Sequence, residues 1–199
     1  ILQDYKEAVK WYGKAAKQGL SEALHALGNM YHDGEGVPRD YDEAARLYRK
    51  AAEQGHAGGQ NCLGHMYKEG EGVPQDHKEA AGLFRKAAEQ GLAEAQHNLG
   101  ISYRDGQGVP QDNKETVRWY RKAAEQGLAE GQWGLGMVYL NGIGVPRDYK
   151  EAVSWWRKAA EQGLVEAQHI LGIAYSSGIF IPQDHKEAVK WLAKAAEQG

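Results

Sequence analysis

The residues of this chain best equipped for chemistry are eight histidines and one cysteine. Five of the histidines, His25, His32, His65, His97 and His169, fall in segments of one kind. Histidine is the commonest metal ligand, but a site built on one element needs paired ligands at fixed spacing, such as H-x3-H on a helix or C-x2-C in a turn. Neither pattern occurs, and no carboxylate recurs in step with the histidines, so neither a metal nor a cofactor is expected. Cys62 stands alone, which excludes an intramolecular disulfide and a cysteine cluster. Next to Leu63, it reads as a buried thiol more than as a nucleophile. The chain has no G-x-S-x-G elbow, S-x-x-K, H-E-x-x-H or P-loop. Its G-x-G triplets follow helical segments instead of strands, so they are not nucleotide fingerprints. No catalytic residue is expected, and the chain reads as a non-enzyme.

What these residues share is a period. Asp4, Asp40, Asp76, Asp112, Asp148 and Asp184 are each 36 residues apart, as are Gly19, Gly55, Gly91, Gly127, Gly163 and Gly199. Tyr31, Tyr67, Tyr103, Tyr139 and Tyr175 keep the same step. A fixed period of this size marks stacked supersecondary units. Each unit packs on its neighbours, so the array counts as one elongated domain.

Each cassette holds two helical patterns. The B pattern, first seen from Asp4 to Gly19, places Ala8, Tyr12, Ala15 and Ala16 on one stripe, with lysines opposite. Asp4 and Glu7 form a D-x-x-E variant of the capping box, repeated through Asp184 and Glu187. Trp11, Trp119, Trp155, Trp156 and Trp191 occupy B positions held elsewhere by Leu47, Leu83, Phe84 and Leu192, an interchange that predicts core packing. Lys14, Lys50, Lys86, Lys122, Lys158 and Lys194 alternate with glutamates, which predicts a solvated face. The A pattern, roughly Ser21 to Asp33, lines up Ala23, Leu27, Met30 and Tyr31. Gly28 lies inside it and recurs as Gly64, Gly100, Gly136 and Gly172. Interior glycine costs about 1 kcal/mol against alanine, so close approach of a neighbouring helix is the expected reason. A loop with two glycines and a proline then leads to the next Asp. The reading is eleven helices: an orphan B helix over 1–19, then A-B hairpins over 20–55, 56–91, 92–127, 128–163 and 164–199. Ile1 aligns with Val37, in mid-cassette, so the chain is expected to be a piece of a longer protein.

The line Ala95, Leu99-Gly100, Tyr103, Gly106-x-Gly108-Val109, Asp112, Trp119-Tyr120-x-Lys122-Ala123-Ala124 and Gly127 resembles the Sel1-like repeat. The resemblance covers the whole chain. It implies an all-α solenoid of helix-turn-helix repeats akin to tetratricopeptide repeats, wound as a right-handed superhelix, with protein or peptide partners on a concave face lined by A helices. The cysteine-rich Helicobacter branch of the family implies a penicillin-related activity instead, but its paired cysteines are missing here. Family habit favours the bacterial envelope, the periplasm or secretion. A further departure is Phe180, which stands where Gly36, Gly72, Gly108 and Gly144 stand in the other loops. Phenylalanine is strained at positive φ, so either that loop is rebuilt or the ring is exposed as a contact.

At 100° per residue, positions 25, 29 and 32 of the A pattern lie opposite its core side. Their residue types also change between cassettes, as contact positions should. The stripe runs His25, Asn29, His32; Asn61, His65, Lys68; His97, Ile101, Arg104; Trp133, Met137, Leu140; and His169, Ile173, Ser176. It passes from polar to apolar, and Trp133 is the expected anchor of a bound peptide. Net charge is -3, which gives no general attraction to nucleic acid. No apolar run approaches the ~20 residues of a membrane span. A structural spacer that associates end to end is the remaining alternative, because the array shows no polar capping repeat.

Leu99 lies on the side assigned to the core. Leu99→Ala is expected to destabilise the protein by ~2–5 kcal/mol in denaturant unfolding. A loss under about half a kcal/mol would mean that the A-helix faces are reversed.

Overall fold

The structure, a computed structural model, describes residues 2–198, with side chains from Asp4 onward. These residues form eleven α-helices and no strand: α1 (Leu2–Lys17), α2 (Ser21–Asp33), α3 (Tyr41–Glu53), α4 (Ala57–Glu69), α5 (His77–Glu89), α6 (Ala93–Asp105), α7 (Asn113–Glu125), α8 (Ala129–Asn141), α9 (Tyr149–Glu161), α10 (Val165–Ser177) and α11 (His185–Ala196). Odd-numbered helices carry the B pattern and even-numbered helices the A pattern. They form two compact units. The first contains residues 1–102 and 106–110, the second 103–105 and 111–199.

The helix ends follow from local chemistry. Each A helix stops at a left-handed glycine, such as Gly34 at φ 76° or Gly142 at φ 69°. The B helices α3, α5, α7, α9 and α11 start at Asp40, Asp76, Asp112, Asp148 and Asp184, whose carboxylates accept first-turn N–H groups. The reciprocal half of the expected capping box is not made. The N–H of Asp40 donates instead to the Tyr31 carbonyl at 2.9 Å, and Asp76, Asp112, Asp148 and Asp184 do the same to Tyr67, Tyr103, Tyr139 and Tyr175. The glutamate is thereby freed for a neighbour on its own helix. Glu115 and Glu187 accept from the indoles of Trp119 and Trp191 at 2.9 and 3.1 Å, and Glu43 pairs with Arg46. The first helix departs further: it begins at Leu2, so Asp4 lies in its first turn and not at its cap.

The packing of four hairpins turns on the interior glycine. A Cβ on Gly28 would come within 2.6 Å of the Tyr48 ring, one on Gly64 within 2.7 Å of Phe84, and one on Gly172 within 2.5 Å of Leu192. On Gly136 it would overlap the Trp156 indole. The neighbour that comes close is therefore a large side chain of the hairpin's own B helix. Tyr48, Phe84 and Trp156 are buried as a result. Tyr12 holds the equivalent place in α1 and is 42% exposed, and Trp11, equivalent to the buried Leu47, is 57% exposed, since no described helix covers them. The expected core stripe of α1 is thus only half formed: Ala8, Ala15 and Ala16 are part-buried. The indole N–H of Trp156 is buried with no hydrogen-bond partner, so packing sets its place and no polar contact does.

Loops seal one cassette against the one before. A Cβ on Gly36 would lie 2.6 Å from the Tyr5 carbonyl, and one on Gly144 2.5 Å from the Asn113 carbonyl. Both glycines have positive φ. Phe180 does not, because its loop is rebuilt: the ring turns inward, 5.1 Å from the Tyr149 ring and 6.3 Å from Trp156. A further polar thread escaped the sequence analysis. Gln60, Gln132 and Gln168 are buried, donate to the Ala52, Ala124 and Ala160 carbonyls, and accept from Gln90, Gln162 and Gln198. With Gln96, also buried and bonded to the Ala88 carbonyl, they recur 36 residues apart at a core-facing position, and that was the available signal.

Gly136→Ala should cost about 1–3 kcal/mol, because the Trp156 indole has no room to yield. Gly82, inside α5 with open space around it, provides the control. Gly82→Ala should stabilise by about 0.5–1 kcal/mol through helix propensity alone. Equal effects of the two changes in chemical denaturation would disprove the packing role.

Candidate functional site

The residues expected to face a partner lie on the A helices, but most of them have partners already. In α2, Asn29 Oδ1 accepts the Tyr48 hydroxyl at 2.7 Å. The His25 ring sits 5.9 Å from Tyr48 and 4.8 Å from His56, with Nε2 3.5 Å from Cys62 Sγ. His32 meets Asp33 at 2.7 Å and Glu71 at 3.6 Å. In α4, Asn61 accepts from the Asn98 amide at 3.0 Å, and the same amide reaches His65 Nε2 at 2.9 Å. Lys68 pairs with Glu69. In α6, His97 and Ile101 are half-buried, and Arg104 donates to the Tyr120 hydroxyl at 3.2 Å while pairing with Asp105. In α8, Trp133, Met137 and Leu140 are half-buried against the cluster around Trp156, with the two indole rings 5.8 Å apart. In α10, His169, Ile173 and Ser176 are exposed, Ile173 by 45%.

Three residues of this stripe also meet the B helix of their own hairpin. Asn29 suits the hydroxyl of Tyr48, His65 lies edge-on 5.2 Å from the Phe84 ring, and Met137 packs against the cluster that holds Trp156.

Within the first unit, Asn29, His32, Asp33, Tyr48, Cys62 and His65 line an open cavity of about 210 Å³. The sequence analysis had not brought Cys62 and Tyr48 to it, since neither belongs to the varying stripe. Cys62 and His25 have the contact of a nucleophile and its base, but their environment opposes that chemistry. Burial pushes the Cys62 thiol up to about 11. Burial, and then the charge of His56, holds the His25 imidazole below its ordinary value. A thiolate–imidazolium pair is disfavoured from both sides. Among the described residues no group of three or more His, Cys, Asp or Glu side chains is placed to hold a metal ion. The cavity offers several hydrogen-bonding groups, which suits recognition.

One capping residue was also missed. His56 stands where Leu20, Leu92, Leu128 and Leu164 stand in other cassettes. Its Nδ1 accepts the Gly59 N–H at 3.0 Å, whereas those four leucines make no side-chain cap. Helix α4 needs that cap, because it has no acidic residue in its first turn and carries Gly58 and Gly59 there.

The pattern of the Sel1 repeat matches residues 1–20, 21–56, 58–92, 93–128, 129–164 and 165–199, which is nearly the whole chain. The chain belongs to the Sel1 repeat family. Among solved structures, a protective antigen of uropathogenic Escherichia coli strains with an SLR fold is 41% identical, with a TM-score of 0.84 over 98% of this chain. The chain spans 42% of that protein. A Sel1 repeat protein from Oxalobacter formigenes is 37% identical, with a TM-score of 0.92, covering 98% of this chain and 80% of its own. An immunity protein from Pseudomonas aeruginosa is 25% identical, with a TM-score of 0.66, covering 95% of this chain and 72% of its own. No curated protein matches the chain significantly. Sel1 repeat proteins generally serve as protein-interaction scaffolds and are typically non-catalytic.

The histidines make the first unit acid-sensitive. His25 and His65 are both held below the ordinary imidazole value, His65 by burial first and then by Lys68. Such groups bind fewer protons folded than unfolded, so their stabilisation is complete above about pH 6.5 and is lost as pH falls. The unfolding midpoint should drop between about pH 7 and pH 5, and the double change His25→Gln, His65→Gln should flatten that slope. A slope that survives the double change would assign the acid sensitivity to other groups.

Proposed function

We propose that this Sel1 repeat chain is a non-catalytic adaptor that binds a protein or peptide through the outward faces of its A helices. The observation that carries this reading is the character of those faces in the second unit. Trp133, Met137 and Leu140 form an apolar row that is only half covered from within, and Ile173 is 45% exposed. Half-buried apolar side chains held in place from behind are the kind of rigid surface on which binding energy concentrates. The first unit offers the polar counterpart, the cavity beside Asn29, His32 and His65.

The packing of Trp133 on Trp156 refines the role of the tryptophan. Its buried edge belongs to the core, so only its outer edge is available to a ligand. No described helix is long and apolar enough to cross a membrane.

A peptide-display selection against the purified chain should enrich a motif with apolar anchors. Ile173→Glu, at an exposed position, should weaken the enriched peptide tenfold or more, about 1.4 kcal/mol. Trp133→Ala should weaken it too, with circular dichroism reporting whether the packing on Trp156 survives. No enrichment, or enriched peptides indifferent to Ile173→Glu and Trp133→Ala, would remove the A-helix face as the binding surface.

A further inference from the structure

The grooves between successive B helices are not all alike. In three of them an arginine of one B helix crosses to the tyrosine of the following A helix. Arg49 donates to the Tyr67 hydroxyl at 3.4 Å, Arg121 to Tyr139 at 3.0 Å and Arg157 to Tyr175 at 2.6 Å. In α1 the equivalent position is Gly13, which faces open space, and the equivalent tyrosine is Tyr31. The groove there, between α1, α2 and α3, is left open at about 310 Å³, against about 210 Å³ for its counterpart beside Arg49. That places it at the lower end of the sizes of small-molecule pockets.

The charge changes with the vacancy. Beside Arg49, the cations Arg49 and Lys86 are balanced by Glu53 and Glu79. In the first groove Lys17 stands in place of the glutamate, and Glu43 is already paired with Arg46. Lys17 and Lys50 are left without a carboxylate among the described residues, at the rim of a floor made by Val9, Leu24, Leu27 and Leu47. An apolar floor beneath two unpaired ammonium groups and a phenol hydroxyl is complementary to one ligand class, an amphiphilic anion.

We propose that the α1–α2–α3 groove binds a small apolar carboxylate, with its tail on the leucine floor and its carboxylate held by Lys17, Lys50 and the Tyr31 hydroxyl. The groove lies apart from the A-helix face proposed for protein partners, and its occupancy does not depend on that reading. The ligand takes the place that an arginine side chain fills in the other grooves, with the opposite charge because the rim has the opposite balance.

The test is isothermal titration of the whole chain with octanoate below its micellar concentration, beside octanol and octylamine. Octanoate should bind saturably, at least tenfold more tightly than either. Gly13→Arg should fill the groove, abolish binding and raise the melting temperature by restoring the arginine–tyrosine contact. Lys17→Glu with Lys50→Glu, both at exposed positions, should abolish octanoate binding and leave the circular dichroism unchanged. Equal affinity for octanol would overturn the proposal, as would absence of saturable binding or octanoate binding that survives Gly13→Arg.

Discussion

The contact on which four of the hairpins depend is a large side chain lying over a bare helix backbone. Tyr48 rests on Gly28, Phe84 on Gly64, Trp156 on Gly136 and Leu192 on Gly172. A helix interior with glycine is intrinsically weaker than one with alanine. Here the loss is offset because burying an aromatic side chain removes a large apolar area from water. The arrangement also sets the distance between the two helices of a hairpin, and with it the positions of all side chains between them. Where the cover is missing, as at Tyr12, the same kind of residue is left in solvent.

Each A helix is tied to its B helix by backbone groups. Carbonyls of Tyr31, Tyr67, Tyr103, Tyr139 and Tyr175 receive the N–H of the capping aspartates, so the end of each A helix and the start of its B helix are joined directly. Loop glycines press against the first carbonyl of the preceding B helix, a distance that no Cβ permits. Phe180 shows the alternative: without the glycine the chain turns its ring inward, and an aromatic contact with Tyr149 replaces the backbone approach. Two different local solutions close the same kind of junction, which is why one loop can abandon the consensus without loss of the fold.

On this common frame the two units present different surfaces. The first groups histidines, asparagine, a carboxylate, a tyrosine hydroxyl and a thiol. The second presents Trp133, Met137 and Leu140. The tryptophans of the B helices add a further regularity. Lys14, Lys122, Lys158 and Lys194 each stack within 5 Å of the ring three residues before them, so the lysine row caps aromatic faces as well as meeting solvent.

The repeat, the helix pairs, the capping aspartates and the glycine at the close-approach position were all legible in the sequence. Each is a local consequence of residue type and spacing, repeated often enough to stand out. The identity of the approaching group was not legible, because Gly136 and Trp156 are brought together only when α8 and α9 fold back on each other. For the same reason, the contacts of Asn29 with Tyr48, of His65 with Phe84 and of Met137 with the cluster around Trp156 were not legible. The cap made by His56, the meeting of His25 with Cys62 and the groove left open by Gly13 are likewise decided by tertiary structure. The period of the sequence determines what packs within a cassette, since those contacts recur. What a single substitution does depends on a neighbour distant in the chain, and only the fold brings the two together.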